Sequence, residues 1–202
     1  MNDTEKIETI KKWLGSGAIN IFGRPFAGKD FQGRQLIAFF GGNMVSSGEI
    51  LRNSKAEMTT REGKLTPTKD FYDVVLPYLN RSELDDSPLF LSSIGRWHGE
   101  EQEVMSALDK SGHPLKAVIY LDISINEVHD RWLAREINND RLERIDDTEE
   151  TLSIRFNEFQ EKTMPVLNYY RKLGLLLEID GKGPRNEITD LIIDALFELA
   201  SK

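Results

Sequence analysis

Residues 18–29 read AINIFGRPFAGK, a short apolar run followed at once by a glycine-containing turn that ends in a lysine. A second apolar stretch of helical length, Phe31–Phe40, follows the turn. A strand, a tight turn and a helix in this order form the phosphate-binding unit of open α/β sheets. This stretch therefore predicts the start of such a sheet and a site for an anionic ligand at its first turn.

The turn itself, Gly23–Lys29, fits the spacing G-x-x-x-x-G-K. In that motif the backbone N–H groups of the loop and the positive end of the next helix hold phosphate oxygens, and the lysine adds a point charge. Ser or Thr normally follows the lysine and meets Mg²⁺, but this chain has Asp30 and then Phe31. The turn predicts binding of a nucleoside triphosphate, and a plain strand-to-helix connection is the alternative for the turn taken alone.

Strands and helices alternate along the rest of the chain, which predicts an α/β fold with a doubly wound, five-stranded parallel sheet. The clearest strand is Leu115–Leu121, because its continuous apolar run is typical of a parallel strand buried on both faces. The predicted strands are 18–22, 43–45, 88–92, 115–121 and 175–179. The predicted helices are 3–14, 31–40, 49–53, 57–80 with a break at 63–67, 100–110, 126–136, 148–172 and 187–200.

Composition excludes several kinds of binding partner and functional site for this chain. The 202 residues, 30% charged and 39% hydrophobic, are enough for one buried core, and the net charge of -8 disfavours nucleic-acid and anionic-membrane partners. The absence of cysteine excludes a disulfide scaffold, thiolate-bound zinc and a cysteine nucleophile. No apolar run approaches the roughly 18–20 residues of a membrane helix, so we expect a soluble, cytoplasmic protein.

Three further segments suggest an acceptor site for a second ligand: Ser46–Arg52, Gly63–Leu65 and Gly95–Gln102. The third follows a predicted strand, and open α/β sheets bind ligands at the carboxyl ends of their strands. Each segment alone is weak evidence, since an arginine on a helix is usually solvated and Ser-Ser-Gly is usually a helix cap. Their order and spacing are more informative than any one of them.

In that order the segments resemble adenylate kinase and related nucleoside monophosphate kinases, over nearly the whole chain after residue 17. GRPFAGKDFQ resembles the family's GxPGxGKGTQ, VSSGEILR its ISTGDMLR, and RIDD followed by TEETLSIRF its R-x-D-D helix. The resemblance implies a P-loop NTPase-type three-layer α/β/α fold, with residues 1–16 as an N-terminal helical extension and 17–202 as the kinase domain. It further implies a helical monophosphate-binding insertion at 46–80 and, from the close spacing of Arg135 and Arg144, a short lid at 136–146.

The resemblance also implies site residues. Those implied as catalytic are Lys29, Arg52, Arg96, Arg135, Arg144 and Arg155. Those implied to bind ATP are Gly23, Pro25, Ala27, Gly28, Lys29, Asp30, Phe31, Arg131, Arg135, Gly181 and Gly183. Those implied to bind AMP are Ser47, Gly48, Arg52, Lys64, Leu65, Gly95, His98, Gln102, Arg144 and Arg155. Mg²⁺ is implied as a cofactor held by ATP phosphates and water rather than by a side chain, and Asp146 and Asp147 are expected to orient arginines.

Two positions depart from the family pattern. The family's aspartate, which orders the waters on Mg²⁺, falls on Ile94, and its phosphate-binding arginine falls on His98. Arg96 is the candidate replacement for the arginine. The candidate replacements for the aspartate are Ser92, Ser93, Glu49 and Asp30.

The expected activity is transfer of the terminal phosphoryl group of ATP to AMP by a monomeric enzyme. Gln102 favours AMP, because an amide offers both a donor and an acceptor to the Watson–Crick edge of adenine. A UMP/CMP-type kinase is one alternative. A nucleotide-binding regulatory module without kinase activity is another, suggested by the changed segment Gly95–His98. The N-terminal helix is expected to pack on the core rather than to mediate self-association.

Overall fold

The computed structural model describes residues 3–52, 65, 68–80, 84, 86–138 and 148–202, and side chains throughout these ranges except for a few positions at their ends. The predicted break at 63–67 and the predicted lid at 136–146 lie largely outside these residues. The predicted helical segment 57–80 is described from residue 68 onward.

A five-stranded, wholly parallel sheet forms the centre of the molecule, in the order β2-β3-β1-β4-β5. This confirms the predicted fold class. Every residue of β1 is buried, as its apolar composition predicts. The strands are β1 Ala18–Gly23, β2 Asn43–Ser46, β3 Leu89–Ser92, β4 Leu115–Asp122 and β5 Leu176–Asp180.

Helices cover both faces of the sheet, and among the described residues none is both long and apolar enough to cross a bilayer. Between α3 and β3, residues 68–80 form one helical segment in which an α-helical turn passes into a π turn and then a 3₁₀ turn. The helices are α1 Asp3–Leu14, α2 Lys29–Phe40, α3 Ser47–Arg52, α4 Glu100–Lys110, α5 Ile125–Asn138, α6 Glu149–Glu158, α7 Met164–Lys172 and α8 Arg185–Ala200.

Strand order places the site. β1 lies between β3 and β4, with Ile21 opposite Ser92 on one side and Ile119 on the other. The chain leaves β1 toward β2 on one side of the sheet, whereas it leaves β3 toward β4 on the other. The crevice at the carboxyl ends of β1 and β3 is therefore a topological switch point, which is where open α/β sheets bind ligands.

The N-terminal helix belongs to the core. Ile10 and Leu14 of α1 are buried in one apolar cluster with Ile192 and Leu196 of α8. Burying side chains of this size contributes about 1.5–3 kcal/mol each to the free energy of folding. Packing against α8 therefore holds α1 on the core. The expectation that this helix packs on the core is confirmed.

The boundaries of two predicted helices differ from the structure for local reasons. α2 begins at Lys29, two residues earlier than predicted, because Gly28 takes a left-handed conformation (φ 90°) that turns the chain directly into the helix. The long helix predicted at 148–172 starts on a Thr148 capping box and contains the π turn Phe159–Thr163 between α6 and α7. The sequence pattern has the period of the helix but not the one-residue insertion of a π turn.

Candidate active site

The loop between β1 and α2 has the tight geometry of a phosphate loop. Phe26 and Gly28 both have positive φ, at 62° and 90°. A Cβ on Gly23 would lie 2.9 Å from the Cβ of Ala27 and 3.1 Å from the carbonyl oxygen of Leu121, so only glycine lets the loop fold this closely. Strand, loop and helix are therefore arranged as the motif requires.

Lys29 lies over this loop. Its Nζ donates to the carbonyl oxygens of Gly23 at 2.9 Å and Arg24 at 3.1 Å. The ammonium group is thus held where the outer phosphates of a nucleotide in the loop would meet it.

Arg131 ties two other elements to the loop. From α5 its guanidinium donates to the carbonyl oxygens of Gly181 (2.7 Å) and Phe26 (3.4 Å), and to the carboxylate of Glu127 (3.0 Å). The structure therefore brings Arg131 and the turn after β5 beside the loop, as the resemblance implied. Gly183 lies in that turn with a φ of 104°.

Arg24 is a loop residue whose role sequence reasoning missed. Its Nη1 donates to the Tyr120 hydroxyl (3.0 Å), the Asp122 carboxylate (2.8 Å) and the carbonyl oxygen of Ile123 (2.7 Å). The guanidinium also lies 5.5 Å from the ring centroid of Phe159. These contacts join the loop to the end of β4 and to the π turn that begins at Phe159. The loop motif leaves its second position unspecified, so no sequence signal pointed to this contact.

The first turn of α2 carries three residues with different roles. Asp30 accepts a hydrogen bond from the Ser92 hydroxyl at 3.0 Å, which joins α2 to the end of β3. Phe31 lies under the guanidinium of Arg185, 5.2 Å from ring centroid to carbon. Gln32 is buried and hydrogen bonded to Arg185 and Thr189, so it fixes α8 against α2.

Asn20 and Ile94 hold the segment after β3 in place. The Asn20 side chain donates to the Ile94 carbonyl oxygen (2.8 Å) and accepts from the Ile94 amide (3.2 Å), both groups being fully buried. The Ile94 side chain is 0% exposed in the apolar cluster below the sheet edge, so it cannot reach a nucleotide. A polar residue inside the apolar run of β1 was the available signal for this anchor.

Ser47 and Gly48 open α3 on the acceptor side. The Ser47 hydroxyl donates to the carbonyl oxygen of Ser93 at 3.1 Å, which brings the start of α3 to the end of β3. The backbone of Arg52 ends the same helix.

Arg96 is the central charged group of the acceptor side. Burial, followed by the like charge of Arg155, lowers the pKa of Arg96 to about 10, while the carboxylates of Glu158 and Glu100 act in the opposite direction. Its Nε is buried and has no hydrogen-bond partner in the part of the chain that the structure describes. Arg96 stays protonated at neutral pH, so two positively charged guanidinium groups, those of Arg96 and Arg155, are neighbours here. Such a pair is suited to a phosphate group.

Glu100 begins α4 on the side of the helix that faces the insertion. Its Oε2 accepts the amides of Arg96 (2.9 Å) and Trp97 (3.0 Å). Burial raises the pKa of its carboxyl, and these amides and the Thr68 hydroxyl act in the opposite direction. Its Oε1 is buried without a well-aligned hydrogen-bond partner among the described residues.

The helical segment 68–80 lies beside this end of α4. Burial and the charges of Glu103, Glu100 and Glu101 raise the pKa of Tyr72, which belongs to that segment. The insertion and the start of α4 therefore face each other across the acceptor side.

Glu158 connects the insertion to α6. It accepts the amide of Leu65 at 3.0 Å and the ammonium group of Lys162 at 2.6 and 2.7 Å. That ammonium group also lies 4.0 Å from the ring centroid of Trp97. Leu65 is therefore brought to Glu158, whose carboxylate also acts on the charge of Arg96, on the side where the resemblance implied it.

His98 and Gln102 are not brought to this cluster. The side chain of His98 is 68% exposed, with Nδ1 2.9 Å from Oε1 of Glu101. Gln102 is exposed and lines a shallow groove of about 420 Å³ with Tyr169 and neighbouring residues of α4. The buried face of α4 carries Glu100, Glu101, Val104 and Leu108, and the helical period places Gln102 opposite to it.

Gly95 is close to this face, because a Cβ on it would lie 2.8 Å from Val104 and its φ is 74°. Several other implied site residues fall outside what the structure describes. They are Lys64, Arg144, Asp146 and Asp147, together with the side chains of Glu49, Arg52 and Arg135.

Comparison with known proteins agrees with this geometry. A family model for adenylate kinase matches residues 21–175. An adenylate kinase of Thermus thermophilus is 31% identical over 184 residues, which cover 89% of this chain and 96% of that protein. Those of Halobacterium salinarum and Schistosoma mansoni are each 28% identical, covering 88% and 96% of this chain and 95% and 100% of the respective relative. The chain therefore belongs to the adenylate kinase family and is a phosphotransferase that acts on nucleoside monophosphates.

Proposed function

We propose that the enzyme transfers the terminal phosphoryl group of ATP directly to AMP and so forms two molecules of ADP. The observation that carries this proposal is a pair of basic sites on the two sides of one crevice. Lys29 and the loop lie at the end of β1, Arg96 lies beyond the end of β3, and the half-buried Arg155 of α6 is its neighbour. Phosphoryl transfer needs two phosphates held in line with positive charge around them, which two such sites provide.

On the donor side, the amides of the loop and the N-terminus of α2 hold the phosphates of ATP. Lys29 neutralises the outer phosphates, and Arg131 braces the loop from α5. Arg135 is assigned to the same phosphates, and Arg144 to the phosphate of AMP, from the resemblance alone. ATP brings Mg²⁺, which supplies charge neutralisation at the outer phosphates when bound. Oxygen donors suit that ion, and the crevice offers them in Asp30 and Ser92.

On the acceptor side, Arg96 and Arg155 hold the phosphate of AMP, with Arg52 assigned to it from the resemblance alone. The start of α3, at Ser47 and Gly48, is hydrogen bonded to the end of β3. Arg96, rather than the exposed His98, supplies the guanidinium that the family places in this segment. Residues 46–80 form the insertion that covers the acceptor, and residues 136–146 form the short lid over ATP. Closure of both excludes water and limits hydrolysis.

Two observations support adenine as the acceptor base. The relatives named above are all adenylate kinases. In addition, the Glu100 carboxyl lies next to Thr68 of the insertion, and its Oε1, which has no well-aligned partner among the described residues, can accept a hydrogen bond from the amino group of adenine. The carbonyl at the corresponding position of uracil would be repelled by it. The assignment of base recognition therefore moves from Gln102 to Glu100.

We further propose that the enzyme works as a cytoplasmic monomer. An assay of ADP formation with ATP, Mg²⁺ and each of AMP, GMP, UMP, CMP and dTMP tests the choice of acceptor. We expect the highest kcat/KM with AMP and a value at least about a hundredfold lower with UMP, because a buried acceptor left unpaired strongly disfavours the wrong base.

The same assay distinguishes the alternatives. Preference for UMP or CMP would show a pyrimidine nucleotide kinase. Binding of ATP without transfer to any of the five acceptors would show a regulatory nucleotide-binding module.

A further inference from the structure

Asp30 stands where a phosphate-loop protein normally has a hydroxyl residue. It is the second residue of α2, directly after Lys29, and its side chain is exposed to the crevice. Its Oδ1 accepts the hydroxyl of Ser92, the last residue of β3, at 3.0 Å. Oδ2 has no hydrogen-bond partner in the described ranges of the chain. The carboxylate is therefore oriented by β3 and still has a free oxygen.

The carboxylate of Asp30 disfavours the binding of ATP without a metal ion. The proposed triphosphate site lies at Lys29 and the N-terminus of α2, so the ionised carboxylate of Asp30 is next to several like charges. Lys29 already donates to two carbonyl oxygens of the loop. A carboxylate next to a polyphosphate is stabilised when a cation lies between them.

The oxygen donors here fit Mg²⁺, which takes one or two carboxylates together with substrate phosphates and water. Among the described residues no group of three acidic or histidine side chains could hold a metal by itself, so the phosphates must complete the coordination. Ile94, where the resemblance placed the family's metal-ordering aspartate, is fully buried.

We propose that Asp30, oriented by Ser92, is the side chain that binds the Mg²⁺ of bound ATP, either directly or through one metal-bound water. This inference rests on the proposed binding of ATP at Gly23–Lys29. It selects Asp30 from the four candidate replacements for the family's aspartate and adds direct ligation of the metal as an alternative that the resemblance did not imply.

The test compares the Kd of ATP in excess Mg²⁺ with the Kd in EDTA, by isothermal titration calorimetry. For the unchanged protein we expect Mg²⁺ to strengthen binding at least about tenfold, since it removes a repulsion of close charges. Asp30→Asn keeps the shape and removes the charge. It should bind metal-free ATP more tightly than the unchanged protein does and should lose most of the gain from Mg²⁺.

Asp190→Asn, on an exposed face of α8, is the matched control and should leave both constants unchanged. Ser92→Ala should reduce the gain from Mg²⁺ less than Asp30→Asn does, because the carboxylate stays but loses its orientation. The inference is overturned if Asp30→Asn matches the unchanged protein in both conditions, or weakens both equally. Because binding is measured rather than turnover, a failure of phosphoryl transfer would leave this result readable and would count against the proposed function alone.

Discussion

Lys29→Met is expected to lower kcat for ADP formation by about 100- to 1000-fold or more. Methionine keeps the length of the side chain and removes the only charge that the phosphate loop itself directs at the outer phosphates. Charge stabilisation by one fixed donor in a site closed to water is worth about this much. In the absence of nucleotide the ammonium group serves two loop carbonyl oxygens at 2.9 and 3.1 Å. The fold is therefore expected to survive.

Thermal unfolding of the variant, followed by circular dichroism, checks that it does. Lys12→Met is the matched control, because Lys12 lies on the exposed face of α1. A folded Lys29→Met enzyme with nearly unchanged kcat would contradict the assignment of the loop to the active site.

Arg96→Met is expected to lower kcat/KM for AMP by about 100- to 1000-fold, without loss of thermal stability. The Nε of the guanidinium is buried, and this burial, followed by the like charge of Arg155, lowers the pKa of Arg96 to about 10. Among the described residues, removal of this guanidinium leaves neither neighbouring carboxylate without a partner. Glu158 keeps Lys162, and Glu100 keeps the two backbone amides. An unchanged or raised Tm with lost affinity for AMP is typical of a group kept for binding rather than for folding.

Arg34→Met on the exposed face of α2 serves as the control for loss of an arginine. Binding of AMP to each variant is measured by titration calorimetry beside the turnover assay. Retained affinity for AMP in Arg96→Met would contradict the acceptor site. A large fall in Tm would instead show that Arg96 stabilises the fold.

The donor half of the site was predictable from the sequence. Gly23–Lys29 has the spacing of the phosphate-loop motif. The apolar run before it is typical of a buried parallel strand. The structure places Arg131 and Gly181 beside this loop as the resemblance implied. In this half, local geometry and residue type lead to the same arrangement.

The acceptor half was not predictable to the residue. The resemblance placed a metal-ordering aspartate, a phosphate-binding arginine and a base-contacting glutamine at 94, 98 and 102. The side chains that the structure places between the end of β3 and the start of α4 and that we propose for these roles are two positions earlier in each case: Ser92, Arg96 and Glu100. The end of β3 and the buried face of α4, with Val104 and Leu108, decide this offset. Both depend on packing against other elements, which the motif letters do not contain.

Isotope tracing tests whether the enzyme transfers the terminal phosphoryl group of ATP to AMP. ATP labelled at its terminal phosphorus is incubated with AMP, Mg²⁺ and the enzyme, and the products are separated. We predict that the label appears in ADP. The ADP left from ATP has lost the labelled phosphorus, so labelled ADP forms only when AMP accepts that group. Label recovered only as inorganic phosphate would show hydrolysis of ATP instead of transfer to AMP, and label left entirely in ATP would show that neither reaction occurs. Either result would contradict the proposed function.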